Sequence, residues 1–247
     1  MDATTEGHGA RMIVAVTGGK GGVGKSTIAL NLGHQLEAVV VDGDLAVADL
    51  PRGRGPDLHD VLAGRATPLE AIQQVGPVEM LPCGRSLAGA RAADLTTFGQ
   101  VVEAVAREFE HVVVDGPAGL ASDVGVQLHS ADVAIVVTTA DDAALADAVK
   151  ARRLARKLET PVGGAVLNRV SDPDRRVETV ERALGVPVTE IPEEPAVQAA
   201  QSIGRPIDEI TSESIAVDRI SSLARTLERE ERRVRRSRED RRRSSGS

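Results

Sequence analysis

Aromatic side chains are nearly missing from this chain. Of 247 residues two are Phe and none is Tyr or Trp. A core without rings has to be built from Val, Leu, Ile and Ala, and little is left to stack on nucleotide bases. Cysteine is as scarce. Cys83 stands alone, which excludes a disulfide and a cysteine-built metal or iron–sulfur site within one chain. The five histidines are scattered with no i, i+3 or i, i+4 pair, so a histidine metal site is not expected. No apolar run approaches the roughly 20 residues of a membrane span, and the first residues lack a signal-peptide pattern. The expected location is the cytoplasm, with peripheral attachment at a membrane or a cell pole left open.

Lysine is the fourth scarcity, with four lysines against 26 arginines. Two of the four, Lys20 and Lys25, fall in one short stretch, Gly19-Lys20-Gly21-Gly22-Val23-Gly24-Lys25-Ser26-Thr27. A chain that writes its positive charge as arginine keeps two compact ammonium groups here. An ammonium on a flexible stem fits among phosphate oxygens as a point charge, whereas guanidinium is a broad planar fork. The stretch matches G-x-x-x-x-G-K-[ST]. Its glycines allow a curved loop whose N–H groups face an anion, and the helix that follows adds its positive end. Lys25 is read as the charge on the outer phosphates and Ser26 as a hydroxyl for Mg²⁺. The context agrees. A β-branched run over 11–17 precedes the loop, and apolar residues at helical spacing follow it.

Further strand-like runs recur between helical segments: Val39–Asp42, Val78–Pro82, His111–Asp115, Ala134–Thr138, Gly163–Leu167 and Val186–Ile191. The alternation predicts an α/β fold, a mainly parallel sheet with helices on both faces and ligands at the carboxyl ends of strands. Residues 1–10 read as a loose lead-in and 11–224 as one domain. Residues 225–247 carry ten arginines against five acids, a composition read as a disordered tail. The formal net charge of −7 thus divides into about +5 on the tail and −12 on the body.

The strand ends carry the remaining candidates. Val39-Val40-Val41-Asp42-Gly43-Asp44 ends in two carboxylates, the kind of group that fixes Mg²⁺ and its waters or orients a water in line with a γ-phosphate. His111-Val112-Val113-Val114-Asp115 has the pattern of a Walker B strand, with Asp115 as the acid that serves Mg²⁺. Gly116 and Gly119 flank Pro117 in a segment able to change shape with the γ-phosphate. Asn168, after Val166-Leu167, offers a donor and an acceptor to an adenine edge. Pro192 and Glu193, in Ile191-Pro192-Glu193-Glu194-Pro195, form a loop placed to wall the base.

Together these motifs resemble the MinD/ParA-type ATPases, the deviant-Walker branch of SIMIBI-type P-loop NTPases, and MinD-like members above all. The resemblance runs from residue 11 to about 210 and rests on Lys-Gly-Gly-Val-Gly-Lys-Ser-Thr, Asp-Gly-Asp, Asp-Gly-Pro-Ala-Gly, Leu-Asn-Arg and Ile-Pro-Glu-Glu-Pro-Ala-Val-Gln-Ala-Ala. It implies a slow, dimer-dependent ATPase with ATP/ADP and Mg²⁺ as cofactors. Two ATP-bound subunits would pair as a homodimer that positions or regulates a protein partner. Lys20 would reach the partner subunit's phosphates, Asp44 would position the attacking water, Asp115 would act through Mg²⁺ and Thr27 would touch the α-phosphate. Asn168 and the Pro192 loop would hold adenine. Two other readings stay open: a metabolic amidoligase or synthetase on the same scaffold, and a DNA-partition ATPase whose basic tail follows nucleic acid. A membrane partner also stays open. The stretch Arg232–Arg243 has one apolar residue, Val234, and nothing to insert into lipid.

Overall fold

β-branched runs flanked by glycine turns become strands here, and the apolar-periodic segments between them become helices. The computed structural model describes residues 12–45, 50–84, 95–117, 119, 122–171 and 176–244. The expected lead-in over 1–10 lies outside them. Eight strands form one sheet: β1 (Met12–Thr17), β2 (Val39–Asp42), β3 (Gln73–Val75), β4 (Val78–Leu81), β5 (His111–Asp115), β6 (Val133–Thr139), β7 (Val162–Val170) and β8 (Val188–Pro192). Their order is β3-β4-β2-β5-β1-β6-β7-β8. All neighbouring pairs are parallel except the β3–β4 hairpin. The short polar strand β3, Gln-Gln-Val, escaped the sequence reading because three residues carry no usable periodicity.

Between the strands run α1 (Lys25–Gln35), α2 (Leu58–Leu62), α3 (Phe98–Glu108), α4 (Ser122–His129), α5 (Asp142–Lys157) and α6 (Val177–Leu184), and after β8 come α7 (Pro195–Ile203) and α8 (Ile215–Ser244). Strand side chains alternate between faces. Val14, Val16, Val40, Val113, Ile135 and Val166 therefore pack on the face covered by α1 and α8. Val39, Val41, Val112 and Val114 pack on the other, with α2 and α3. Each buried Val or Leu contributes about 1.5–3 kcal/mol. Where rings are lacking, small residues bring helix close to sheet. Helix α5 turns Ala144, Ala148, Ala151 and Ala155 inward, and Asp141 caps it by accepting from the Ala143 and Ala144 amides.

Strand order places β1 at the switch point. The chain leaves β1 for β2, later returns to insert β5 between them, and then adds β6 on the far side of β1. A crevice at the carboxyl end of β1 follows from that reversal, and this is where the glycine loop lies.

The end of the chain departs from expectation. Instead of disorder from residue 225, helical backbone continues unbroken from Ile215 to Ser244, so the expected boundary at 224/225 falls inside a helix. Two causes are visible. Ala216, Ile220, Leu223, Ala224 and Leu227 seat the first half in the core beside α1, and His111 Nε2 meets Glu231 at 3.4 Å. Beyond that point Arg and Glu, both strong helix formers, pair along the helix: Arg232 with Glu228 at 2.9 Å and Arg233 with Glu230 at 3.3 Å. Exposed pairs of this kind contribute at most about 1 kcal/mol each. Leu227→Ala is therefore expected to cost about 2–4 kcal/mol, while removal of residues 233–247 changes stability by less than about 1 kcal/mol. Urea unfolding of the two variants checks this; the reverse order of effects would place the anchor in the arginine-rich half.

Candidate functional site

Three strand tips come level at one edge of the sheet. Val16 of β1 lies opposite Asp115 of β5, and Asp115 lies opposite Asp42 of β2. By the two-residue period of a strand, Asp42 shares a face with Val40, and Asp115 with Val113. Those valines pack in the cluster that contains α1. Both carboxylates therefore emerge on the side where α1 begins, and its first residue is Lys25.

Burial makes this arrangement costly. Asp42 and Asp115 are each 1% exposed, and Lys25 is 7% exposed. Among the described residues no carboxylate pairs with Lys25. A buried ammonium without a counter-ion is expensive, and a bound polyanion removes the cost. Asp42 Oδ1 accepts from the Asp44 amide at 3.3 Å, and Oδ2 from the Cys83 amide at 3.4 Å. Burial first, and then the neighbouring Asp115 carboxylate, push the Asp42 pKa well above the usual carboxylate range. Two desolvated acids in register, with the half-buried Ser26 at the start of α1, form the hard-oxygen donor set that suits a divalent cation such as Mg²⁺. The buried Thr17 hydroxyl at the end of β1, which has no hydrogen-bond partner among the described residues, adds one more oxygen at this edge. No cluster of three or more His, Cys, Asp or Glu able to hold a metal occurs among the described residues.

The loop itself is held from outside. Gly24 occupies the N-cap of α1 with φ +97°, a conformation that L side chains avoid. A Cβ there would also stand 2.2 Å from Asn168 Nδ2. Asn168 is buried and donates to the Val23 carbonyl at 2.8 Å, so β7 clamps the loop across a long sequence separation. Val23 is buried in the core, Gly19 and Thr27 are half-buried, and Gly21 and Gly22 are exposed. Lys20 points elsewhere. Its Nζ lies 2.6 Å from Asp141 Oδ2, with both side chains nearly half exposed. That bond, ahead of the helix-cap amides, holds the Asp141 carboxyl below its ordinary pKa. Asp44 is half-buried beside Asp42.

The adenine candidates are arranged differently from the phosphate candidates. A cavity of about 260 Å³ adjoins the loop, lined by Gly22, Gly24, Lys25, Ser26 and Thr27 together with Arg169, Gln201 and Arg205. Asn168, Pro192 and Glu193 stand next to this lining without being part of it. Asn168 pairs in register with Ile191, Pro192 is half-buried at the end of β8, and the exposed Glu193 donates its amide to the Val170 carbonyl at 3.1 Å. Arg169 was missed by the sequence reading. A register shift between Asn168 and Val170 leaves Arg169 with φ +56°, and such a bulge has no local sequence signature. Gln127 was missed as well. It is 3% exposed and donates to the Gly43 carbonyl at 2.6 Å, and nothing in the sequence around it marks a polar residue on an inward face.

Comparison with known proteins places the fold in a family. The ParA family model, described as NUBPL iron-transfer P-loop NTPase, matches residues 9–227. The chain belongs to the MinD/ParA-type family of P-loop NTPases. An uncharacterized ATP-binding protein of Methanocaldococcus jannaschii is 34% identical over 229 residues, which is 87% of this chain and 86% of that one. The structure of the Pyrococcus furiosus cell division ATPase MinD superposes with a TM-score of 0.82 at 32% identity, covering 89% of this chain and 99% of that one. The Pyrococcus horikoshii septum site-determining protein MinD, solved in complex with Mg-ADP, superposes at 0.81 with 29% identity over 88% of this chain and 96% of that one. The eight-stranded, mostly parallel sheet with its surrounding helices is the fold of this family.

Two substitutions probe the site. Gly24→Ala should abolish nucleotide binding in calorimetry, because the added methyl meets the clamp from Asn168. Asp42→Asn should flatten the loss of stability of the metal-free protein with rising pH, since a neutral amide cannot ionise at this buried position. The sign follows from the raised pKa. The folded-state contribution of Asp42 is fully present below its unfolded pKa and is lost as pH rises through the folded value. Thermal melts in EDTA across pH 5–9 should show wild type losing stability with rising pH more steeply than Asp42→Asn.

Proposed function

We propose that this protein is an ATP-binding, slowly hydrolysing molecular switch that pairs with a second copy of itself when ATP is bound and so positions or regulates a partner protein. The observation that carries the reading is the register of Asp42 against Asp115 at the edge where the buried Lys25 opens α1. Lys25 and the loop amides would take the β- and γ-phosphates, and Thr27, one turn into the same groove, the α-phosphate. Mg²⁺, when bound near Ser26, Asp42 and Asp115, would neutralise charge on the outer phosphates. Asp44, two residues past Asp42 on a turn tied to β5 by the Gly43 amide to the Asp115 carbonyl at 2.9 Å, would orient the attacking water. Adenine is proposed to lie along the cavity that adjoins Arg169, with Asn168 holding the loop rigid behind it and the Pro192–Glu193 turn at its margin.

Lys20 would act on the phosphates of the partner subunit. In the single chain it is tied to Asp141, and water screens an exposed pair of this kind so that it contributes little. Little is lost when Lys20 swings toward a facing triphosphate. The iron transfer in the description of the family model is not carried over. Cys83 is the one cysteine of the sequence, it is 1% exposed, and burial pushes its thiol pKa far up. No described helix is long and apolar enough to cross a membrane. The arginines of α8 leave weak, salt-dependent attraction to an anionic surface or to nucleic acid as a question for the same experiment.

Light scattering should give a monomer mass with Mg-ADP and a dimer mass with Mg-ATP, repeated with duplex DNA and with anionic vesicles to find the surface the dimer uses. Asp44→Ala should accumulate as the ATP dimer and lose turnover by a factor of about 100 or more, the scale of a lost catalytic group. Lys20→Ala should keep nucleotide affinity and lose the rise of specific activity with protein concentration. A Lys20→Ala variant hydrolysing at the wild-type rate removes the role in trans. ATP consumption that requires a small carboxylate acceptor would move the protein to the synthetase class.

A further inference from the structure

One buried polar side chain takes no part in the account above. Gln127 projects from α4, whose neighbouring residues Val124 and Leu128 are core, and it is itself 3% exposed. Its Nε2 donates to the Gly43 carbonyl at 2.6 Å. Its Oε1 lies on the other aspartate turn, 3.2 Å from where a Cβ on Gly116 would stand. One side chain thus bonds the glycine after Asp42 and fills the space beside the glycine after Asp115 that a Cβ would need.

We propose that Gln127 is a positioning residue that fixes the Asp42-Gly43-Asp44 turn against the Asp115-Gly116 turn, and that it is required for hydrolysis and not for nucleotide binding. The inference rests on the ATPase reading and extends it to a residue outside the glycine loop and the two aspartate turns. The backbone supports it. The Gly43 amide donates to the Asp115 carbonyl at 2.9 Å, and the Gly116 amide donates to the Val16 carbonyl at 2.9 Å. These bonds continue the β2–β5–β1 ladder one step past the strands, and the Gln127 amide supplies the next rung. Both glycines leave it room. A Cβ on Gly43 would meet Gln127 Nε2 at 2.5 Å and the Asp115 carbonyl oxygen at 2.8 Å, and one on Gly116 would meet the Val16 carbonyl oxygen at 2.7 Å.

The consequence is a division of labour. Binding strength comes from the loop amides and Lys25, which stand on β1 and α1 and do not touch Gln127. Water attack depends on the angle between the Asp44 turn and the Asp115 turn, and small misplacements cost far more in rate than in affinity. Without the Gln127 donor, the buried Gly43 carbonyl keeps only the local Leu45 amide at 3.0 Å, and the bond that ties the turn to α4 is lost.

The test uses Gln127→Leu, which keeps approximate volume without a donor, and Gln127→Glu, which keeps shape and Oε1 but replaces the donor with an acceptor. For both, kcat should fall by about tenfold or more, with KM for ATP and affinity for Mg-ADP within about threefold of wild type. Amide hydrogen exchange on the nucleotide-free proteins should show Gly43 and Gly116 exchanging faster together, by about tenfold, while Val14 and Ile28 in the core stay as in wild type. Unchanged kcat overturns the proposal. So does a parallel loss of ADP affinity and of core protection, which would make Gln127 a packing residue. Exchange that quickens at Gly43 alone overturns the link between the turns. If wild type itself binds no ATP, the ATPase reading fails, and the exchange experiment still decides whether the two turns are joined.

Discussion

Two carboxylates on adjacent parallel strands, buried side by side, constrain nearly everything else at this edge of the sheet. Asp42 and Asp115 face each other because β2 and β5 pair in a register that ends both strands at the same level. Packing alone would favour apolar residues there, since two desolvated like charges oppose folding. The arrangement persists because the three valines before each acid bury in the clusters on both sheet faces and over-determine the strand positions. The hydrophobic alternation that builds the sheet is therefore also what aims the carboxylates toward α1.

The same logic runs through the loop and its supports. Lys25 is a buried cation at a helix N-terminus, and the acids are buried anions a strand or two away. In the proposed switch a magnesium polyphosphate would complement both at once: phosphate for the lysine and the amides, metal for the acids. Asn168 reaches from β7 to hold the Val23 carbonyl, and Gln127 reaches from α4 to hold the Gly43 carbonyl. One fastens the phosphate side and the other the carboxylate side. Lys20, by contrast, rests on an exposed partner, Asp141, that it can leave at little cost. In the proposed switch the rigid groups would bind the nucleotide and the loosely held lysine would serve a second subunit.

Much of this was legible in the sequence where chemistry and pattern are local. The glycine loop, the valine runs ending at Asp42 and Asp115, and the parallel sheet all follow from short-range spacing; most strands fall within a residue or two of expectation, while β7 runs three residues past Leu167 and β3 was not foreseen. Legibility stopped where long-range geometry decides. Asn168 was noticed for its amide, yet its buried bond to Val23 depends on β7 passing beside the loop. Arg169 takes its left-handed backbone from a register shift against β8, which no neighbouring residue announces. Gln127 looked like one polar residue in a short helix. The run after Arg225 was read by composition as disordered, while pairing along the helix and the anchorage of Leu227 and Glu231 carry helical backbone through it.

The central claim is that the tips of β1, β2 and β5 and the start of α1 hold one magnesium–triphosphate complex. Its most direct test is a crystal structure with Mn²⁺ and a non-hydrolysable ATP analogue, located by the anomalous signal of the metal. The account predicts a single manganese peak within about 2–2.3 Å of the Ser26 hydroxyl, on the side where Asp42 and Asp115 emerge, with the γ-phosphate against Lys25. A metal bound elsewhere, or an analogue lying outside the Gly19–Thr27 loop, would contradict it.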